Sequence, residues 1–143
     1  MAILRLTQVI SRSPDAVFAL LADGGSFASW NPTIARSRPI TTGPPAEGSQ
    51  FEWELRGFGA VRQELREVQP GRRLRIVPDL PSLTGGHRFV LTDLGGSTRV
   101  DHELEMAPRG WFRLMAPMIW FTGRRNLQAT ADALKRHLES GRP

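Results

Sequence analysis

The chain of 143 residues has no cysteine and no tyrosine, one lysine, Lys135, and three histidines. Lack of cysteine excludes disulfides, thiolate metal sites and cysteine nucleophiles, so the fold must rest on its apolar core, which suits a reducing compartment. Lack of tyrosine excludes chemistry that positions or protonates a substrate with a phenol. His87, His102 and His137 are too widely spaced for a metal site, and no cofactor is expected. Long apolar runs are missing too. The longest, Leu114 to Thr122 with Trp111 and Phe112 before it, contains Pro117 and falls short of the roughly 20 residues that span a bilayer. The start, Met1 to Gln8, has no basic region followed by a sustained apolar stretch, so no signal peptide is expected and the cytoplasm is the default location. No serine stands in a Gly-x-Ser-x-Gly context, and Gly57 to Arg62 fails the dinucleotide fingerprint. The formal charge of +5 rests on scattered arginines, which indicates a dispersed solvated surface and no nucleic-acid partner.

What is present reads as one domain over residues 1–143, long enough to bury roughly 70% of its unfolded surface and to contain a cavity. Ser13 suits an N-cap, Pro14 the first helical position and Asp15 the positive end of the helix dipole. Val17, Leu20 and Leu21 form an apolar stripe, Gly24 and Gly25 end that helix, and Phe27 and Trp30 give a second short turn something to bury. Asn31-Pro32 returns the chain to an extended form. Alternating apolar and polar residues then predict an antiparallel meander, with strands near 3–10, 33–41, 49–56, 60–69, 72–78, 86–94 and 98–107. Turns fall at Gly43 to Gly48, Arg56 to Gly59, Pro70-Gly71, Pro81 to Gly86 and Gly95-Gly96.

Two hairpins have a predicted register. Around Gly95-Gly96, Leu91 faces Val100, Phe89 faces His102 and His87 faces Leu104 on one side, with Arg88 against Glu103 on the other. Around Gly57 to Gly59, Leu55 faces Val61, Trp53 faces Gln63 and Phe51 faces Leu65, with Glu54 against Arg62 behind. Each hairpin thus has an apolar face and a charged face, as a sheet covered on one side requires. From Trp111 or Pro117 to Ser140 the period becomes helical, with Trp120, Gly123, Leu127, Thr130 or Ala131, Leu134 and Leu138 facing the sheet.

This order resembles the helix-grip fold of the START-like superfamily, in particular its bacterial polyketide cyclase/dehydrase and lipid-transport branch. The resemblance is carried by Ile10 to Asp23, Trp30-Asn31-Pro32, Glu67 to Leu74, Gly96 to Val100 and Asn126 to Glu139. It implies an α+β fold: a seven-stranded curved antiparallel sheet wrapped around a long C-terminal helix, with two short helices after the first strand. It also implies a deep apolar cavity for a lipid, polyketide or similar molecule, and a family that includes carriers, sensors and a few cyclases.

The expected lining comes from inward strand residues Phe51, Trp53, Leu55, Gln63, Leu74 and Ile76, then Phe89, Leu91, His102, Leu104 and Met106. The helix adds Met115, Met118, Ile119 and Gly123, the methionines as adaptable walls and Gly123 as either a niche or a point of close helix-to-sheet approach. His102 is the best candidate for proton transfer because the alternation from Thr98 to Met106 turns it inward. A buried histidine bonded to Gln63, His87 or a water is the favoured reading. His87 is expected at the rim and His137 at the surface. The leading function is binding of a hydrophobic small molecule; the alternative is a cyclase, aromatase or dehydratase using His102. A third is a protein-interaction or membrane-surface module built on Trp111, Phe112, Met115, Met118, Ile119, Trp120 and Phe121 beside Arg109, Arg113, Arg124 and Arg125. A kinked helix closing the cavity accounts for the same aromatics, so membrane contact is not favoured, and the protein is expected as a monomer or homodimer.

Overall fold

The computed structural model describes residues 2–81 and 83–140, with the backbone alone of Ala2 and Leu83. Its strands are β1 (Ala2–Ile10), β2 (Ile34–Pro39), β3 (Gln50–Leu55), β4 (Gly59–Gln69), β5 (Arg73–Pro78), β6 (Leu83–Asp93) and β7 (Thr98–Pro108). They pair antiparallel in one sheet of order β1-β7-β6-β5-β4-β3-β2. Between β1 and β2 lie helix α1 (Pro14–Ala22) and a 3-10 turn, Gly24–Ser29; after β7 a second 3-10 turn, Gly110–Met115, leads into helix α2 (Ala116–Ser140). This is the helix-grip arrangement, seven curved strands and one long helix.

The Ser13 side chain accepts the Ala16 backbone N–H at 3.2 Å, with Pro14 in the first turn, so α1 begins as its capping residues dictate. The 25-residue α2 buries Gly123, Leu127, Thr130, Ala131, Ala133, Leu134 and Leu138 against the sheet. Trp120, expected on that face, is exposed instead. The helix is tied to the β1 edge: Gln8 Nε2 donates to the Ala131 carbonyl at 2.9 Å and Arg12 Nη1 to that of Leu138 at 2.9 Å.

The β6–β7 register is the predicted one, with Leu91 opposite Val100, Phe89 opposite His102 and Arg88 opposite Glu103. The β3–β4 register differs. Leu55 pairs with Gly59, Trp53 with Val61 and Phe51 with Gln63, because Phe58 N–H bonds back to the Leu55 carbonyl at 3.1 Å and the turn is tighter than expected. A slip of two residues keeps every side chain on its face, so Phe51 and Trp53 still point inward. β6 also begins earlier than predicted. Gly85 and Gly86, expected in a turn whose Ser82 lies outside the described residues, are paired strand residues opposite Met106 and Glu105. A Cβ on Gly85 would run into the Glu105 carbonyl, so glycine here permits close strand approach rather than a turn.

Candidate functional site

The interior is divided. A large apolar cluster gathers Ile10, Val17, Phe27, Trp30, Phe51, Trp53, Leu65, Leu74, Ile76, Phe89, Leu91 and Val100 with the second half of α2, and Leu55 packs against it. A smaller cluster holds Leu4, Leu104, Met106 and Leu127, with Ile119 against it. On β7 the residue between Val100 of the first and Leu104 of the second is His102, 2% exposed. Its Nε2 stands 2.8 Å from Nδ1 of His87, so one imidazole donates to the other. Phe89 stacks on the His102 ring at 4.1 Å between centroids, and Trp53 meets His87 edge-on at 6.3 Å. Phe27 lies 4.7 Å from both Trp53 and Trp30, which extends the aromatic wall to the start of β2.

Burial pushes the His87 imidazole down to about 4. Burial, and next the proximity of His87, hold His102 well below the ordinary histidine range. Both rings are therefore neutral at pH 7, and a neutral pair with one shared N–H is what an apolar wall tolerates. His87 is half-buried, so it screens His102 and is the more accessible of the two. The indole N–H of Trp53 donates to the Gly24 carbonyl at 2.9 Å, whereas that of Trp30 is buried without a protein partner. Asn31, buried beside it in sequence, donates to Thr130 of α2 at 3.1 Å.

Of the predicted lining residues, Phe51, Trp53, Gln63, Ile76, Phe89, Leu91, His102, Leu104, Met106 and Gly123 are buried, and Leu55, Met115 and Ile119 half-buried. Met118 is 61% exposed and faces away from the sheet. It stands five residues before Gly123, beyond the stretch where α2 presses on the strands. At Gly123 the space between helix and sheet is taken by a side chain. Met106 Sδ and Cε lie 2.6 and 2.7 Å from where a Cβ on Gly123 would stand, so the thioether occupies that niche. Two shallow grooves lie at the surface: one of about 270 Å³ between Arg36, Arg38, Glu52 and Glu54, the other of about 260 Å³ between Ile3 to Leu6 of β1 and Trp120, Arg124 and Leu127 of α2. Among the described residues no three His, Asp or Glu side chains converge as a metal site would need.

His87, expected at the rim, is half-buried and reaches inward to pair with His102. The predicted pairing already placed it opposite Leu104 and diagonal to His102, within side-chain reach. Near the same end of the sheet, Phe58 of the β3–β4 turn meets Phe112 edge-on at 6.4 Å, crossing β5 and β6 to the turn that follows β7.

A family model described as polyketide cyclase / dehydrase and lipid transport matches residues 1–139. A comparison with curated proteins found no match. Among solved structures, a START superfamily protein from Mycobacterium smegmatis is 16% identical, with a TM-score of 0.77 over 96% of this chain and 97% of that one. The di-domain ARO/CYC StfQ of the steffimycin biosynthetic pathway is 16% identical, with a TM-score of 0.70 over 95% of this chain and 44% of its own. A norcoclaurine synthase of Thalictrum flavum is 13% identical, with a TM-score of 0.70 over 96% of this chain and 93% of its own. At such identities the likeness is one of fold.

Proposed function

We propose that this chain, which belongs to the polyketide cyclase / dehydrase and lipid transport family, binds a hydrophobic small molecule of lipid or polyketide type between its sheet and α2. The observation that carries this is the neutral His87–His102 pair set in an aromatic wall. The wall offers apolar surface, worth about 25 cal/mol per Å² covered, and the accessible His87 offers a hydrogen bond to a carbonyl or hydroxyl. The unpartnered indole N–H of Trp30 supplies a second donor. Admission requires that Phe58 and Phe112 part and that Met106 swing off Gly123, a motion open to a flexible thioether.

Native mass spectrometry of freshly purified protein is expected to find a retained small molecule, and an anilinonaphthalene sulfonate dye to bind saturably in its absence. His87→Ala is expected to weaken dye binding by about tenfold, the value of one buried hydrogen bond. No retained molecule together with no saturable dye binding would overturn the proposal. A catalytic version is favoured by the same pair, with His87 meeting the substrate and His102 behind it exchanging the shared proton. Under that version His87→Phe abolishes turnover of a polyketide-type substrate while dye affinity stays nearly constant.

A further inference from the structure

The segment joining β7 to α2 sorts its large side chains by direction. Phe112, Met115 and Ile119 are half-buried, whereas Trp111 is 66% exposed, Leu114 85%, Met118 61% and Phe121 60%. Residues three apart eclipse in a 3-10 turn, so Trp111 and Leu114 share one side. Met118, Phe121 and Arg125 follow on one face of α2, spaced three and then four residues apart. Arg109, Arg113, Arg124 and Arg125 belong to the same segment, and the Arg125 guanidinium sits 5.8 Å from the Phe121 ring centroid. No aspartate or glutamate occurs from Met106 to Ala131. Among the described residues none of these four arginines forms an ion pair, while Arg5, Arg38, Arg75 and Arg88 on the sheet all do.

We infer that this face docks on an anionic lipid surface, with Trp111, Leu114, Met118 and Phe121 at the headgroup–acyl boundary and the four arginines against lipid phosphates. Charge selects the occupant. A second copy of the chain, meeting this face symmetrically, would oppose two sets of unneutralised arginines. The four apolar side chains stand out from the surface, 60 to 85% exposed, while Arg124 beside them lines the groove against β1. Protruding apolar tips among cations suit a bilayer interface, where tryptophan is favoured and each arginine adds about fivefold in affinity to an anionic leaflet. Docking places the Phe112 end of the sheet toward the membrane, yet it does not depend on what the interior binds.

The test is cosedimentation of the full chain with vesicles of equimolar phosphatidylcholine and phosphatidylglycerol, compared with pure phosphatidylcholine. Binding is expected to the anionic vesicles at low salt, weakening steeply as salt is raised, with at most trace binding to the neutral ones. Arg113→Gln with Arg125→Gln is expected to weaken it by about 25-fold, and Leu114→Ser with Met118→Ser by tenfold or more. Arg38→Gln with Arg99→Gln removes the same charge from the sheet and should leave binding within about twofold. No binding to anionic vesicles at low salt overturns the inference, and so does an equal loss in the sheet variant. A dimer abolished by Leu114→Ser, without vesicle binding, would instead give this face to a second copy. The salt series uses the unaltered protein, so the inference stays open to refutation even should a variant fold poorly.

Discussion

Two imidazoles packed side by side, His102 buried and His87 half-buried, make stability depend on pH in one direction. Unfolded, each takes up a proton near pH 6.5; folded, His87 does so only near about 4 and His102 resists further. Between those values the unfolded chain binds more protons, so the contribution is fully present above about pH 6.5 and is lost as the pH falls toward 4. Urea unfolding at pH 7 and pH 5 is expected to show a loss of about 2 kcal/mol from His87 alone, with His102 adding to it. The double variant His87→Phe, His102→Phe should flatten that slope, and an unchanged slope would remove the pair as its source. Glu139, held below the usual carboxylate range first by the Ser11 backbone N–H and then by Lys135, loses its contribution only at lower pH. His102 was legible from strand alternation alone. His87 was legible in part: the predicted register put it on the inward face and offered it as a partner of His102, while its place beside the Gly85-Gly86 turn signal read as the rim.

Two glycines, Gly123 and Gly24, separate tolerant packing from rigid packing. At Gly123, in the interior of α2, an added Cβ meets the far end of Met106 at 2.6 Å and Leu104 Cδ2 at 3.5 Å. Met106 can swing away, and alanine adds about 1 kcal/mol of helix propensity, so Gly123→Ala should leave thermal stability within about 1 kcal/mol of the parent. At Gly24 the added Cβ would enter the Phe51 ring, a buried side chain that also packs on Trp53. Gly24→Ala should therefore cost about 3 kcal/mol or the ordered fold itself, read as a lowered unfolding midpoint. Equal midpoints for the two variants would contradict this account. The element order, the cap at Ser13 and the inner face of α2 from Gly123 onward follow from local sequence. The β3–β4 slip does not, since either register keeps the same faces and only the closed turn at Leu55 to Phe58 chooses.

For the whole molecule, one sheet and one helix enclose two apolar clusters, and His102 stands between them on β7. A ligand that binds only the folded chain at a hundredfold excess over its Kd adds about 2.7 kcal/mol. A cognate lipid or polyketide should raise the thermal midpoint by several degrees, and Phe112→Ala, which opens the Phe58 contact, should speed its binding more than it changes that shift. A ligand that leaves the midpoint unmoved is not cognate. No helix among the described residues is long and apolar enough to cross a membrane. By itself the sequence determined the fold class, the strand faces and the inward direction of His102, because side-chain periodicity is a local property read along the chain. Tertiary structure alone decided that Met106 fills the Gly123 niche, that His87 rather than Gln63 or a water partners His102, and that Met118 faces outward. Those outcomes depend on which distant segments meet and how densely they pack, and no local pattern encodes that.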